Sequence, residues 1–362
     1  MKAKTDFDIN NLVRENIRKL KPYQSARDLV NDSDSILMDA NENPFPIGYN
    51  RYPDPLQRKL KTKIGEIKNV SPANIFLGNG SDEIIDLLIR AFCIPEKDSI
   101  SINTPTYGMY EVCANVNNVN VIRINLIQDF QLDLNEMLEK ATQAKIIFIC
   151  SPNNPTGNLM KKESIYELLN QFRSLVVIDE AYIDFANDPG FISEIKNYPN
   201  LIVLQTFSKG RAMAGIRLGM AFMDTKIVQI LNKIKYPYNI SLLNQKAALK
   251  TLEYDLISSN INAVLQQKKW LIAELQKLNI VENIWPSDAN FLLVQFQNQQ
   301  NIFDILKKER IIVRDRSDEP NGEGCLRITV GKSLDNLMLI TCLKQFDQEK
   351  NYNYEKDTVF RS

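Results

Sequence analysis

Short apolar runs rich in β-branched residues alternate with helical patterns through the middle of this chain. The strand-like runs fall at 98–102, 119–124, 145–150, 175–178 and 201–205. Around them apolar residues recur at helical spacing, as over 84–92, 134–141 and 163–172. Such alternation predicts an α/β fold, a parallel sheet with helices on both faces. The unbroken run Ile146-Ile147-Phe148-Ile149 needs that double cover. After about residue 240 the pattern changes. A long helical stretch over 242–278 is followed by strand-like runs at 291–296, 311–314 and 325–330, with helices at 302–308 and 334–346. This predicts a second, smaller α+β domain. The first 36 residues lack a sheet pattern and are expected to pack against it. The expected division is a large domain over 37–240 and a small one built from 1–36 and 241–362, with the polar tail 348–362 fraying.

The length of 362 residues agrees with two domains, at a prior of about 150 residues each. Lys+Arg and Asp+Glu both number 44, so a polyanion-binding surface is not expected and nucleic acid is not a predicted partner. No apolar run approaches the roughly 20 residues of a membrane span. The start of the chain shows no apolar signal core. The five cysteines are scattered without a CxxC, the pattern of reduced thiols in a cytoplasmic chain. Histidine is absent altogether. That removes the commonest general base and metal ligand. Ser-His-Asp and His-metal chemistry are excluded, and proton transfer falls to Lys, Tyr, Asp, Glu or Cys.

Against that background five strings carry candidate chemistry. Leu204-Gln205-Thr206-Phe207-Ser208-Lys209 places a lysine just past a strand, with Arg217 eight residues on. A lysine there can form a Schiff base if its surroundings lower its pKa. The hydroxyls of Thr206 and Ser208 and the Arg217 guanidinium suit a phosphate, and together they point to pyridoxal phosphate (PLP). Asn79-Gly80-Ser81-Asp82-Glu83 opens a helix, where N–H groups and Ser81 can hold a phosphate or merely cap the helix. Asn103-Thr104-Pro105-Thr106-Tyr107-Gly108 offers a tyrosine to stack on a flat ring or to fill a turn. Cys150-Ser151-Pro152-Asn153-Asn154-Pro155-Thr156-Gly157 is a proline-bracketed turn that fixes an amide, with Cys150 read as a buried strand-end thiol. Val177-Ile178-Asp179-Glu180-Ala181-Tyr182 ends a strand in an acidic pair, and Asp179 can meet a protonated pyridine nitrogen. Ligands of open α/β sheets sit at the carboxyl ends of strands, so motifs after successive strands converge on one crevice.

These strings, with Leu37 to Pro44, Arg51-Tyr52-Pro53-Asp54 and Ala214 to Gly219, resemble fold-type I PLP-dependent aminotransferases over nearly the whole chain. Lys21 to Arg27 and Gly324 to Gly331 are similar to substrate-binding segments of the histidinol-phosphate aminotransferase family. The resemblance implies a mostly parallel seven-stranded sheet between helices, beside the small domain. It implies that Lys209 carries PLP, that Asp179 pairs with the ring nitrogen, and that Asn154 and Tyr182 bond the phenolic oxygen. Tyr107 would stack on the ring, while Gly80, Ser81, Asp82, Thr206, Ser208 and Arg217 would surround the phosphate. Tyr52 would reach that phosphate from the partner of a homodimer. Tyr23, Arg314, Arg327 and Asn154 would meet the substrate. The implied reaction exchanges an amino group between glutamate and imidazole acetol phosphate, in histidine biosynthesis. An aromatic aminotransferase or a phosphothreonine decarboxylase on the same scaffold are the alternatives, and a PLP-binding regulator would need a nucleic-acid-binding segment for which there is little room. One departure stands out: the family usually carries an aromatic residue where this chain has Arg211.

Overall fold

The computed structural model describes residues 8–22, 35–253 and 256–359. Seven strands form one sheet: β1 (Ile75–Asn79), β2 (Ser99–Thr104), β3 (Asn120–Asn125), β4 (Ile146–Cys150), β5 (Leu175–Asp179), β6 (Leu201–Thr206) and β7 (Leu218–Met223). Their spatial order is β1-β7-β6-β5-β4-β2-β3. The β3-β2-β4-β5-β6 pairings are parallel, whereas β7 runs antiparallel to both β6 and β1. Alternate side chains of the central strands enter different cores. Ile147, Ile149, Val176 and Ile178 pack on one face, and Ile146, Phe148, Leu175 and Val177 on the other. Both faces being covered explains why these strands are apolar throughout.

A second sheet holds β8 (Val281–Ile284), β9 (Phe291–Phe296), β10 (Arg314–Asp315) and β11 (Cys325–Thr329), in the order β10-β11-β9-β8 and wholly antiparallel. Its core of Leu292, Val294, Leu326 and Ile328 packs with Leu271, Leu275, Leu306 and Leu339. The helices are α1 (Glu15–Lys19), α2 (Arg58–Lys68), α3 (Gly80–Phe92), α4 (Met109–Val116), α5 (Leu134–Lys140), α6 (Lys162–Gln171), α7 (Thr225–Ile234), α8 (Leu242–Leu252), α9 (Leu256–Leu275), α10 (Gln299–Lys308) and α11 (Ser333–Val359). Among the described residues no helix is long and apolar enough to cross a membrane.

Several local expectations are corrected. The pattern of β-branched runs passed over β1 and β7, because Ile75-Phe76-Leu77-Gly78-Asn79 and Leu218-Gly219-Met220-Ala221-Phe222-Met223 contain glycine and few β-branched residues. The helical stretch expected over 242–278 is two described helices, α8 and α9. The run at 311–314 contributes only Arg314–Asp315 to the sheet. Beyond Gln348, where fraying was expected, the backbone stays helical to Val359. Residues 8–22 pack on the large sheet's helices rather than on the small sheet. Ile9 and Val13 bury in the same core as Phe92, and the Arg14 N–H donates to the Ala91 carbonyl at 3.0 Å. Their apolar side chains find cover there that the small sheet does not offer them.

Candidate active site

The reversed direction of β7 organises the crevice. Strands β4, β5 and β6 deliver their motifs at their carboxyl ends, whereas Arg217 precedes β7 and reaches the same edge because β7 runs back. Gly219 of β7 pairs with Gly78 of β1 on one side and Thr206 of β6 on the other. A Cβ on Gly219 would collide with the Gly80 and Ser81 backbone, so this approach requires glycine. Gly80 has φ +71°, and its added Cβ would sit 2.7 Å from Arg217 Nη2. The Gly80 N–H in turn donates to the Arg217 carbonyl at 2.9 Å. This close packing carries the α3 N-terminus to the crevice, where its free N–H groups favour an anion.

One pocket is lined by Gly80, Ser81, Asp82, Tyr107, Cys150, Asn154, Asp179, Ala181, Tyr182, Thr206, Ser208, Lys209 and Arg217. It thus gathers every cofactor-site residue expected from the sequence except Tyr52. Lys209 is one of these lining residues, with Nζ 5.5 Å from the Tyr182 ring centroid. Desolvation lowers the Lys209 pKa, as do the Arg327 and Arg217 cations, while Asp179 opposes them. A lowered pKa supplies the neutral amine that nucleophilic and base chemistry need.

Asp179 is 2% exposed and lines the pocket. Burial pushes its carboxyl up to about 6, against the hydrogen bonds that hold it down. It accepts from Tyr110 Oη at 2.7 Å and from the Ala181 N–H at 3.1 Å. Asp82 accepts from Tyr107 Oη at 2.9 Å and lies 3.4 Å from Arg217 Nη2. The hydroxyl of Thr206 accepts from the Ser208 N–H at 3.1 Å, which turns the chain just before Lys209. Asn153, fully buried, donates to the Pro105 carbonyl at 2.9 Å and to Thr156 at 2.8 Å, locking the turn that presents Asn154. Cys150 is a buried thiol pushed upward by desolvation, as the strand-end reading expected.

The small sheet completes the rim. Phe291 of β9 meets the Tyr182 ring edge-on at 5.0 Å. Arg327 of β11 donates from Nη1 to Asn154 Oδ1 and lies 5.4 Å from the Phe291 ring centroid. Arg314 pairs with Arg327 across the strands but is exposed. Tyr52 does not line this pocket. It is 50% exposed and stacks on Tyr238 with centroids 4.3 Å apart, beside Glu42, Tyr49 and Arg51. Tyr23 lies outside the described residues. Arg211 places its guanidinium 5.4 Å from the Phe207 ring centroid, beside Asp184, and desolvation lowers its pKa. Tyr110 escaped the motif reading because it sits three residues beyond Tyr107, on α4 and outside any strand-end string. The sequence signal for it was the repeated tyrosine in Tyr107-Gly108-Met109-Tyr110.

The arrangement fits PLP. A buried carboxylate faces the pocket with no cation bonded to it among the described residues, as a protonated pyridine requires. A lysine, an anion cradle and a ring-sized tyrosine surround the same space.

Comparison with known proteins agrees with this geometry. The model of the family "Aminotransferase class I and II" matches residues 33–341. A histidinol-phosphate aminotransferase of Cytophaga hutchinsonii is 50% identical over 346 residues, covering 94% of this chain and 99% of that protein. One of Parabacteroides distasonis is 49% identical over 339 residues, covering 93% and 98%. The crystal structure of the histidinol-phosphate aminotransferase from Clostridium acetobutylicum superposes with a TM-score of 0.77 at 28% identity, covering 83% of this chain and 91% of that one.

Proposed function

The chain belongs to the class I and II aminotransferases, and from that premise we propose that it exchanges an amino group between L-glutamate and imidazole acetol phosphate, giving L-histidinol phosphate and 2-oxoglutarate. Its cofactor is pyridoxal 5′-phosphate. The observation that carries the reading is that Lys209 and buried Asp179 line one pocket with Asn154, to which the Arg327 guanidinium donates.

Bound PLP supplies a carbonyl that condenses with amines and a ring that accepts the electron pair released at the substrate Cα. The chain's own residues tune and aim that chemistry. Asp179 would pair with the ring nitrogen and keep it protonated. Asn154 and Tyr182 would donate to the cofactor's phenolic oxygen, and Tyr107 would pack on its ring. The α3 N-terminus at Gly80 and Ser81, the Thr206 and Ser208 hydroxyls and Arg217 hold the phosphate; Asp82, bonded to both Tyr107 and Arg217, orients that cradle. Lys209 would hold the cofactor and, as a neutral amine, would take the proton from the substrate Cα. No histidine is available for the task. Arg327 binds the glutamate carboxylate in one half-reaction and the phosphomonoester in the other, since a guanidinium fork suits both anions.

The active unit is a homodimer in this reading. Exposed Ile36, Met38, Phe45 and Ile47 share a segment with half-exposed Tyr52, an apolar surface that a second copy would cover while Tyr52 completes its phosphate site. The five cysteines are all unpaired and buried, in keeping with a cytoplasmic enzyme.

A half-reaction screen tests the substrate. Cofactor-loaded enzyme is mixed with histidinol phosphate, glutamate, phenylalanine or phosphothreonine, and the loss of its lysine-bound absorbance is followed. Fast reaction with histidinol phosphate and glutamate is expected. Preference for phenylalanine, or CO₂ release from phosphothreonine without a 2-oxoacid, would replace this reading by one of the alternatives.

A further inference from the structure

The hairpin that carries Arg327 and Arg314 holds a third arginine. Strand β10 pairs Arg314 with Arg327 and Asp315 with Leu326. The ladder continues one step, for the Arg316 N–H donates to the Cys325 carbonyl at 3.0 Å. Cross-strand partners share a face, and successive residues alternate between faces. Arg314, Arg316 and Arg327 therefore stand on one face of this hairpin, opposite Leu326 and Ile328 in the small core. That is the face from which Arg327 reaches Asn154.

Arg316 differs from Arg314 in its surroundings. Arg314 is exposed, whereas the Arg316 side chain is largely covered. Its Nη1 pairs with Glu319 Oε1 at 3.0 Å. Its Nε is buried without a hydrogen-bond partner. A tight turn fixes the pair, because the Glu319 N–H donates to the Arg316 carbonyl at 3.1 Å and the Gly322 N–H to the Glu319 carbonyl at 2.8 Å. After burial, the Arg316 cation does most to lower the Arg327 pKa, ahead of Arg314, and it also acts on Tyr182. Arg316 thus lies on the face of Arg327, with one donor unsatisfied and one shared with a replaceable acid.

We propose that Arg316 is a specificity-determining residue that reads the second negative charge of a phosphomonoester, exchanging Glu319 for the substrate phosphate. The inference rests on the substrate reading above. A phosphomonoester carries about −1.5 to −2 charges at neutral pH, and a glutamate side chain only one. Arg327 balances a carboxylate by itself, but a phosphate dianion leaves charge over. A second guanidinium meets that remainder with directed donors, which a flexible ammonium does less well.

Binding to pyridoxamine-phosphate-loaded enzyme tests this without turnover, because that form does not react with amines. Calorimetric dissociation constants are measured for L-histidinol phosphate and L-glutamate. Arg316→Gln should weaken histidinol phosphate about tenfold or more, as loss of a charge-assisted contact does, and glutamate by clearly less. Glu319→Gln should act in the opposite direction and tighten histidinol phosphate. This variant keeps the test decisive if Arg316→Gln does not fold. Equal losses for both ligands in Arg316→Gln, or unchanged histidinol phosphate binding in Glu319→Gln, overturn the proposal. Wild-type enzyme that fails to prefer histidinol phosphate over glutamate overturns the substrate reading instead, and this inference with it.

Discussion

Tyr110 donates a 2.7 Å hydrogen bond to Oδ2 of Asp179, and the donor is wholly buried in a core where its ring stacks on Phe148. The bond favours the charged form of a carboxylate that burial otherwise neutralises. Tyr110 therefore acts through Asp179 as a positioning residue for the ring nitrogen. Tyr110→Phe removes one oxygen and little volume. It should raise the Asp179 pKa further and weaken PLP about tenfold, the worth of one hydrogen bond to a charged group. PLP dissociation constants measured from pH 5 to 8 check this. The low-pH arm of the profile should shift upward in the variant. A purely structural role would lower the melting temperature and leave that arm in place.

The sequence made the crevice more legible than the rim. Lys209, Asp179, Asn154 and Arg217 each follow or precede a strand within a string of distinctive residues, and strand ends converge by topology. Tyr110 was poorly legible because the repeated tyrosine that marks it does not say that α4 folds back over Phe148, on which its role depends. Arg316 was not legible because the short strand β10 hides the alternation that puts it on the face of Arg327. The place of residues 8–22 was not legible because Ile9, Leu12, Val13 and Ile17 name no partner until α3 and α7 stand beside them.

Asp179 is expected to destabilise the cofactor-free protein. Its folded pKa of about 6 lies above the ordinary 3.8, so the folded state binds its proton more tightly than the unfolded state does. Its contribution is fully present below about pH 4 and is lost as pH rises through about 6. Asp179→Asn should thus make the cofactor-free protein more stable by about 1–3 kcal/mol at pH 7, with no gain near pH 4. Denaturant unfolding of both proteins at the two pH values reads the difference. Lower stability of the variant at pH 7 would show that the carboxylate is better compensated than its burial implies.

Lys209 should be the site of covalent cofactor attachment. Its place after Thr206-Phe207-Ser208 and its lowered pKa motivate the assignment. Borohydride reduction followed by peptide mapping is expected to find the pyridoxyl group on Lys209 alone. Lys209→Ala should hold PLP without a covalent bond and lose turnover. A label on another lysine would refute the assignment.

Tyr52 stands apart from the pocket of its own chain, which makes a subunit-mixing experiment informative. Lys209→Ala and Tyr52→Phe subunits are each expected to be impaired as homodimers. In a hybrid dimer one pocket contains wild-type Lys209 and receives wild-type Tyr52 from its neighbour. Activity should then recover toward half that of the wild type per dimer formed. A clear defect in Tyr52→Phe with no recovery on mixing would mean that Tyr52 serves its own chain.

Arg327 should matter to both half-reactions, unlike Arg314 and Arg316. It is the arginine that reaches Asn154, and desolvation lowers its pKa. Its fork can close on either anion, whereas exposed Arg314 has water as a competitor. Removing one partner of a buried charge pair costs about 3–5 kcal/mol. Arg327→Ala should therefore slow single-turnover reaction of both glutamate and histidinol phosphate by several hundredfold at sub-saturating substrate, since about 1.4 kcal/mol is tenfold. Arg314→Ala should cost the histidinol-phosphate half more than the glutamate half, and by less than Arg327→Ala, because a surface contact is worth about 1 kcal/mol or under. Stopped-flow traces of each half-reaction separate these cases. If Arg327→Ala spares glutamate while abolishing histidinol phosphate, the carboxylate must be held by another cation, and the shared-anion role assigned to this residue fails.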